Sequence, residues 1–169
     1  MTAASATLRP YLPADARALA EIFCASIEIL AEDDYSEGQR AAWMTLADNI
    51  PAFGKKLAGE LTLVALRDGE PVGFAALKGA DCIDMLYVHP DHARAKIATL
   101  LIDALEKLAA ARGAKKLTTD ASDTARPFFA ARGYVGMSRN VLPLGDEWLA
   151  NTSMVKTFVA DNEPRGVLQ

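Results

Sequence analysis

The residues with most to offer chemically lie between positions 82 and 99 of this 169-residue chain. An apolar run over 82–88 carries one carboxylate, Asp84, inside Ile83-Asp84-Met85-Leu86, a setting from which strands usually exclude charge. It is followed by His89-Pro90-Asp91-His92-Ala93-Arg94-Ala95, which delivers the chain into a helix with a free N-terminus. The unpaired N–H groups and the dipole at such a terminus favour an anion, and Arg94 and Lys96 add positive charge at the same point. Phosphate binding is the chemistry this junction suits, although a strand-to-helix turn that binds nothing has the same pattern.

Weaker candidates surround it. Asp120 closes a strand and is either a second base or a turn residue. His89 and His92 have no third ligand nearby, so no metal site is expected. Glu32-Asp33-Asp34 would attract an amine or simply solvate a helix end. Cys24 and Cys82 are far apart and belong to no C-x-x-C pair, which suits reduced thiols rather than zinc or a disulfide.

Composition sets the outer bounds. At 51% hydrophobic and 24% charged residues the chain is globular in character, which excludes disorder and low complexity. Its length suits one domain, taken as 1–169. The 22 acidic and 18 basic residues leave a formal charge of −4, which disfavours a nucleic-acid binder. The first ten residues lack a basic start followed by an apolar stretch, and no apolar run is long enough for a membrane span, so a cytoplasmic protein without membrane contact is expected.

The elements that must position these residues follow from periodicity. A strand over 7–11 precedes a helix whose stripe is Leu19, Ile22, Phe23, Ser26, Ile27 and Leu30. Ser36 followed by Gln39 is a capping box, opening a second helix with Trp43, Leu46, Ala47 and Ile50 inside and Pro51 as its stop. Residues 52–59 stay ambiguous. Strands over 61–66 and 71–77 flank Asp68-Gly69, a tight-turn dipeptide, and the strand over 82–88 completes a meander. Ile97, Leu100, Leu101, Ala104, Leu105 and Leu108 form the next helical stripe, ended by Gly113. A strand over 116–120, a short helix capped from Ser122, Asp123 or Thr124 through Ala131, and closing strands over 134–142 and 152–158 finish the pattern, leaving a frayed tail over 161–169. This is one mixed α/β domain.

The block over 83–105, followed by Thr118-Thr119-Asp120-Ala121-Ser122 and by Ala125-Arg126-Pro127-Phe128-Phe129 through Gly133-Tyr134, resembles the GNAT superfamily of acyl-CoA-dependent N-acetyltransferases, most closely its YafP-like branch. The resemblance runs roughly from Leu8 to Phe158 and includes Asp34-Tyr35-Ser36 and Trp43 as acceptor-side residues. It implies a central, mostly antiparallel mixed sheet of about seven strands with helices on both faces, acetyl-CoA as co-substrate and an amine acceptor, and it allows a homodimer. A V-shaped opening is expected where the strands over 82–88 and 116–120 part. The pantetheine arm would bond Leu86, Tyr87 and Val88, and the pyrophosphate would rest on Arg94, Ala95, Lys96, Ile97, Ala98 and Thr99. Ser122 stands where relatives carry an asparagine that holds the arm.

Three positions depart from the family pattern. Ala93 replaces a usual Gln or Arg, and Lys96 replaces a glycine. If position 96 needs positive φ, a side chain there costs on the order of 1–2 kcal/mol, whereas a helical φ would leave the amide in place and the ammonium free to meet phosphate. Phe129 replaces a tyrosine that protonates the departing thiolate, leaving solvent, Tyr134 or Tyr87 for that role. Asp84, by strand alternation on the face of Cys82, is the candidate general base, with Asp120 as its competitor. Acetyl transfer to a primary amine of a small molecule or peptide is therefore expected, with Asp84 and Tyr134 catalytic. The alternative is a non-catalytic acyl-CoA-binding or protein-interaction module on the same fold.

Overall fold

A computed structural model of the chain describes residues 5–158. Its strands are β1 (Thr7–Pro10), β2 (Leu61–Arg67), β3 (Glu70–Lys78), β4 (Cys82–Val88), β5 (Lys116–Ser122), β6 (Val135–Leu144) and β7 (Glu147–Thr157). The helices are α1 (Ala16–Leu30), α2 (Glu37–Met44), α3 (Ile50–Ala58), α4 (Ile97–Ala111) and α5 (Arg126–Ala131). All seven strands join one sheet in the order β1-β2-β3-β4-β5-β7-β6, and only the β4–β5 pair is parallel. This is the mixed, mostly antiparallel sheet that the sequence implies.

Each face of the sheet carries its own core. On one, Leu101, Ile102 and Leu105 of α4 pack on Ala75, Ile83 and Leu117. On the other, Leu19, Phe23 and Ile27 of α1 and Phe53 and Leu57 of α3 pack on Val64, Phe74 and Met85. The stripes of α1 and α4 face the sheet as their 3.6-residue spacing requires, except that Leu30, the last residue of α1, is exposed. The meander turn also forms as expected, with φ of 52° at Asp68 and 80° at Gly69, the paired positive values of a type I′ hairpin.

The second helical segment corrects the sequence reading. The Ser36 box closes, Gln39 N donating to Ser36 Oγ at 3.1 Å and Ser36 N to Gln39 Oε1 at 2.9 Å. The helix, however, ends at Met44, and a 3₁₀ turn over Thr45–Ala47 leaves Leu46 exposed. Pro51 starts a helix instead of stopping one. It occupies the first turn of α3, where its missing N–H is not needed, and Asn49 caps that turn through Ala52 N at 3.0 Å. The ambiguous residues 52–59 are mostly this helix.

Two more boundaries move. β7 begins at Glu147, so Gly145-Asp146 turns a long β6–β7 hairpin. No side chain caps α5, whose N-cap is Ala125; Ser122 Oγ instead accepts from Ala125 N at 3.1 Å. The expected frayed tail lies outside the described residues.

One glycine sets the position of α4. A Cβ on Gly73 of β3 would stand 3.0 Å from Ile97 Cγ2 and 3.1 Å from the Tyr87 carbonyl oxygen, so its absence lets the start of α4 sit tightly against the β3–β4 ladder. Gly73→Ala overpacks this contact and is expected to cost about 1–3 kcal/mol, read as a lower urea midpoint with an unchanged m-value.

Candidate functional site

The site begins where a ladder stops. β4 and β5 pair only at Cys82–Thr118 and Ile83–Thr119, and beyond those positions the strands part. β4 is irregular at the same place. Its register with β3 passes from Ala76–Met85 to Leu77–Ile83, leaving Asp84 as an extra, unmatched residue. The bulge breaks alternation, since Ile83 packs into the α4-side core and Met85 into the α1-side core. The His89 N–H donates to the Val72 carbonyl at 2.9 Å, on the β3 side. By alternation from His89, the backbone groups of Leu86 and Val88 face the opening.

Two clefts meet across this gap, with volumes of about 590 Å³ and 410 Å³. Trp43, Leu86, Tyr87, Ser122 and Ala125 line both.

The larger cleft runs from Leu86–Val88 to the start of α4. Lys96, the N-cap of α4, has φ 62° and ψ 21°, so the position is left-handed and the lysine carries the strain foreseen for that case. Arg94 shares the conformation, with φ 63°. No side chain caps this helix, and its first internal bond is Leu100 N to Lys96 O at 3.0 Å. The N–H groups of Ile97, Ala98 and Thr99, all lining the cleft, therefore have no intrahelical acceptor. The side chains of Arg94 and Lys96 border the same space and are exposed, and no ion pair engages them among the described residues. The lysine thus adds charge at the mouth of the cleft without burying its side chain in it.

The smaller cleft is acidic and apolar. Asp84 and Asp120 are the charged residues lining it, beside Trp43, Leu46, Leu142 and Leu149. Asp120 accepts from Ser153 Oγ at 2.6 Å, which in turn accepts from Asn140 Nδ2 at 2.8 Å. Tyr35 ties the two walls together, its hydroxyl donating to the Ala150 carbonyl at 2.6 Å and accepting from Asp123 N at 2.9 Å. Trp43 meets the rings of Tyr35 and Tyr87 edge-on, at 5.3 and 6.3 Å between centroids. Burial pushes the Tyr87 hydroxyl far above its ordinary value.

Asp84 does not stand alone. Lys56 of α3 brings Nζ to 2.9 Å from Asp84 Oδ2 and 3.7 Å from Glu60 Oε1. Burial by itself would raise the Asp84 carboxyl, but hydrogen bonds from Lys56 and Glu60 outweigh it and hold the group below the usual carboxylate range.

The predicted site residues divide between the two clefts, with Leu86, Tyr87 and Ser122 shared by both. Leu86, Tyr87, Val88, Arg94, Lys96, Ile97, Ala98, Thr99 and Ser122 line the larger cleft, while Asp84 and Phe129 line the smaller. Ala95 lines neither; it packs against the α4-side core. Tyr134 corrects an expectation. Its ring stacks edge-on against Phe129 at 5.1 Å, and its hydroxyl donates to Glu106 Oε1 at 3.0 Å on α4, away from both clefts. Glu106 also receives Lys156 Nζ at 2.9 Å and Arg132 at 3.0 Å. Tyr134 braces α5 against α4. Of the histidines, His89 accepts from Asp91 N at 3.1 Å and His92 lies 3.4 Å from Arg67. No group of three metal-capable side chains occurs among the described residues.

Sequence reasoning missed Lys56 and Glu60 because it left residues 52–59 unassigned; Lys56 lies in the last turn of α3 and Glu60 just beyond its C-cap, four residues on. The partners Ser153 and Asn140 reach Asp120 only through pairing of β5, β6 and β7, which no local pattern announces.

Residues 31–158 match the acetyltransferase (GNAT) domain family. The chain is 32% identical over 147 residues to the uncharacterized N-acetyltransferase YafP of Escherichia coli (strain K12), covering 87% of this chain and 93% of that protein. It is also similar to a GCN5-related N-acetyltransferase crystal structure from Rhodopseudomonas palustris, described there as "Aminotransferase, Class-II", with 57% identity, a TM-score of 0.90, and coverage of 94% and 99% of the two chains. The PaiA N-acetyltransferase of Thermoplasma acidophilum, solved in complex with coenzyme A, shares the fold at 18% identity and a TM-score of 0.76, covering 91% of this chain and 99% of that one.

Lys96→Gln removes the charge at the N-cap and keeps the backbone strain. It should weaken phosphate-ester binding at the α4 terminus several-fold at low salt and flatten the salt dependence, both read by titrating coenzyme A calorimetrically.

Proposed function

The chain belongs to the GNAT acetyltransferases, and from that premise we propose that it moves an acetyl group from acetyl-CoA directly to a primary amine of a small molecule or peptide. The observation that carries this reading is the parting of β4 and β5, because it joins an anion-ready helix terminus to an acid-lined cleft through one opening. The coenzyme A in the PaiA complex supports the same choice of co-substrate.

The steps follow from the groups along that opening. The pyrophosphate meets the free N–H groups of Ile97, Ala98 and Thr99, with Arg94 and Lys96 adding charge at the rim. The pantetheine arm lies along the open edge of β4 as an added strand, beside Ser122, and bonds the backbone over 86–88. The N–H of Leu86 or Val88 stabilises the oxyanion as the amine nitrogen attacks the thioester carbon. The C–N bond forms, the C–S bond breaks, and coenzyme A leaves as its thiolate. Before that attack Asp84 takes the ammonium proton, directly or through one water, and the nitrogen's second proton then passes through water to the thiolate.

Phe129 cannot return a proton, and the Tyr134 hydroxyl is engaged by Glu106 away from the clefts. A thiolate is a far weaker base than the amine nitrogen that displaces it would be as a leaving amide, so it departs readily, and water in the open cleft can protonate it. The acceptor cleft supports a cationic amine over an anionic acceptor, since both charged residues lining it are acids. No helix among the described residues is long and apolar enough to cross a membrane, and Cys24 and Cys82 are free thiols; we place the protein in the cytoplasm.

The rival reading, a non-catalytic acyl-CoA-binding module, draws on Phe129 and on the strained Lys96. Titration with acetyl-CoA, followed by a thiol assay for coenzyme A release against a panel of primary amines, separates the two. Amine-dependent release is expected. Binding without release selects the module, and no binding overturns both. In Asp84→Asn, turnover should fall by about 10²-fold or more with little change in acetyl-CoA affinity.

A further inference from the structure

We infer that Glu60 is a positioning residue for the base: it and Asp84 hold one exchangeable proton between them beside the acceptor cleft. This rests on the transferase reading above. Glu60 follows α3, and its side chain is only 7% exposed. Asp84, on the β4 bulge, is 24% exposed and lines the cleft, which Glu60 does not. Lys56 is the cation within ion-pair distance of both. With both acids ionised the cluster carries two negative charges against one positive, and a single proton neutralises it.

The unpaired atom says where that proton sits. Glu60 Oε2 and Asp84 Oδ2 are both buried; the Lys56 ammonium stands 2.9 Å from the second, whereas Glu60 Oε2 has no hydrogen-bond partner among the described residues. Two carboxylate oxygens can only accept, so burying them together is costly unless one carries hydrogen. A proton on Glu60 Oε2, donated to Asp84, gives the orphaned oxygen its partner and joins the two acids in one hydrogen bond. Titration runs the same way: burial first, then the hydrogen bond and charge of Asp84, push Glu60 up to about 7 against the opposing pull of Lys56. The charged and titratable groups around the pair are Lys56 from α3, Lys78 from β3, and Cys82 and Tyr87 from β4.

The arrangement answers a difficulty with Asp84. A carboxylate held below its ordinary range is a poor acceptor for an ammonium proton near neutral pH. The pair, whose shared proton is lost near 7, is matched to that task, and its titration belongs to the two groups jointly. In the step itself, the proton leaves the ammonium nitrogen for Asp84 and is then shared with Glu60. The freed lone pair forms the C–N bond, the C–S bond breaks, the second proton lost by the new amide nitrogen passes through water to the departing thiolate, and the shared proton returns to solvent before the next cycle.

Infrared titration of the whole protein tests the proton directly, without turnover. A protonated-carboxyl band should vanish as pH rises through about 7 and should be missing in Glu60→Gln and weakened or shifted in Asp84→Asn. The acidic limb of the kcat/KM profile should move down by about one pH unit or more in Glu60→Gln, with kcat reduced at least tenfold. Because the folded value of Glu60 lies above its ordinary 4.5, its protonated form adds stability that is full below that value and lost as pH climbs through about 7. Glu60→Gln, always neutral, should lose that slope between pH 5 and 8. Absence of the band in the unmutated protein overturns the inference without needing any variant. A band that behaves as described, with no acetyl transfer to any amine, keeps the shared proton and overturns the transferase reading; an unshifted profile in an active Glu60→Gln overturns the positioning role.

Discussion

Backbone hydrogen bonds are obligatory, and the architecture turns on the one place where a central ladder leaves them unmade. Between β4 and β5 only two residue pairs are in register, and the edge of β4 that follows has no strand beside it. An unpartnered edge inside a sheet invites an extended ligand to complete it. The rest of the fold holds this opening in place. α1 and α3 pack one face of β4, α4 the other, and the β6–β7 hairpin walls the far side of β5. The bulge at Asp84 serves the same end, turning a carboxylate out of the alternation that would otherwise commit it to a core.

Charge is laid out along the opening in two signs. At the start of α4, free N–H groups, Arg94 and Lys96 make one end positive. At the other end Asp84 and Asp120 make the cleft negative. The chain's formal charge of −4 conceals this polarity, because it is local and the total is a sum over the whole surface. Such a layout would draw opposite charges to opposite mouths of a single passage.

Much of this was legible in the residues. The stripes of α1 and α4, the Asp68-Gly69 hairpin and the Ser36 box act locally, and each formed as its pattern requires. Pro51 was misread because proline ends a helix or begins one according to the residue before it, and the Asn49 cap decided for a beginning. The residues of the larger cleft were named together because strand, loop and helix start are contiguous in sequence. On the acidic side Asp84, Asp120, Tyr35 and Trp43 were named, but the partners behind the two acids were not, since Glu60, Ser153 and Asn140 reach them from distant segments through sheet pairing and the end of α3. Tyr134 misled for a related reason. A tyrosine beside an expected active-site segment looks available until Glu106, on another helix, takes its hydroxyl.

The two left-handed residues ahead of α4 have a consequence for how readily that loop is ordered. Glycine would enter this backbone region without steric penalty but would roam widely in the unfolded chain and wobble in the folded one. Arg94 and Lys96 reach it against resistance, yet bring fewer alternative conformations with them. The turn is consequently stiffer than a glycine-built one, with less configurational freedom left to surrender when an anion settles onto it.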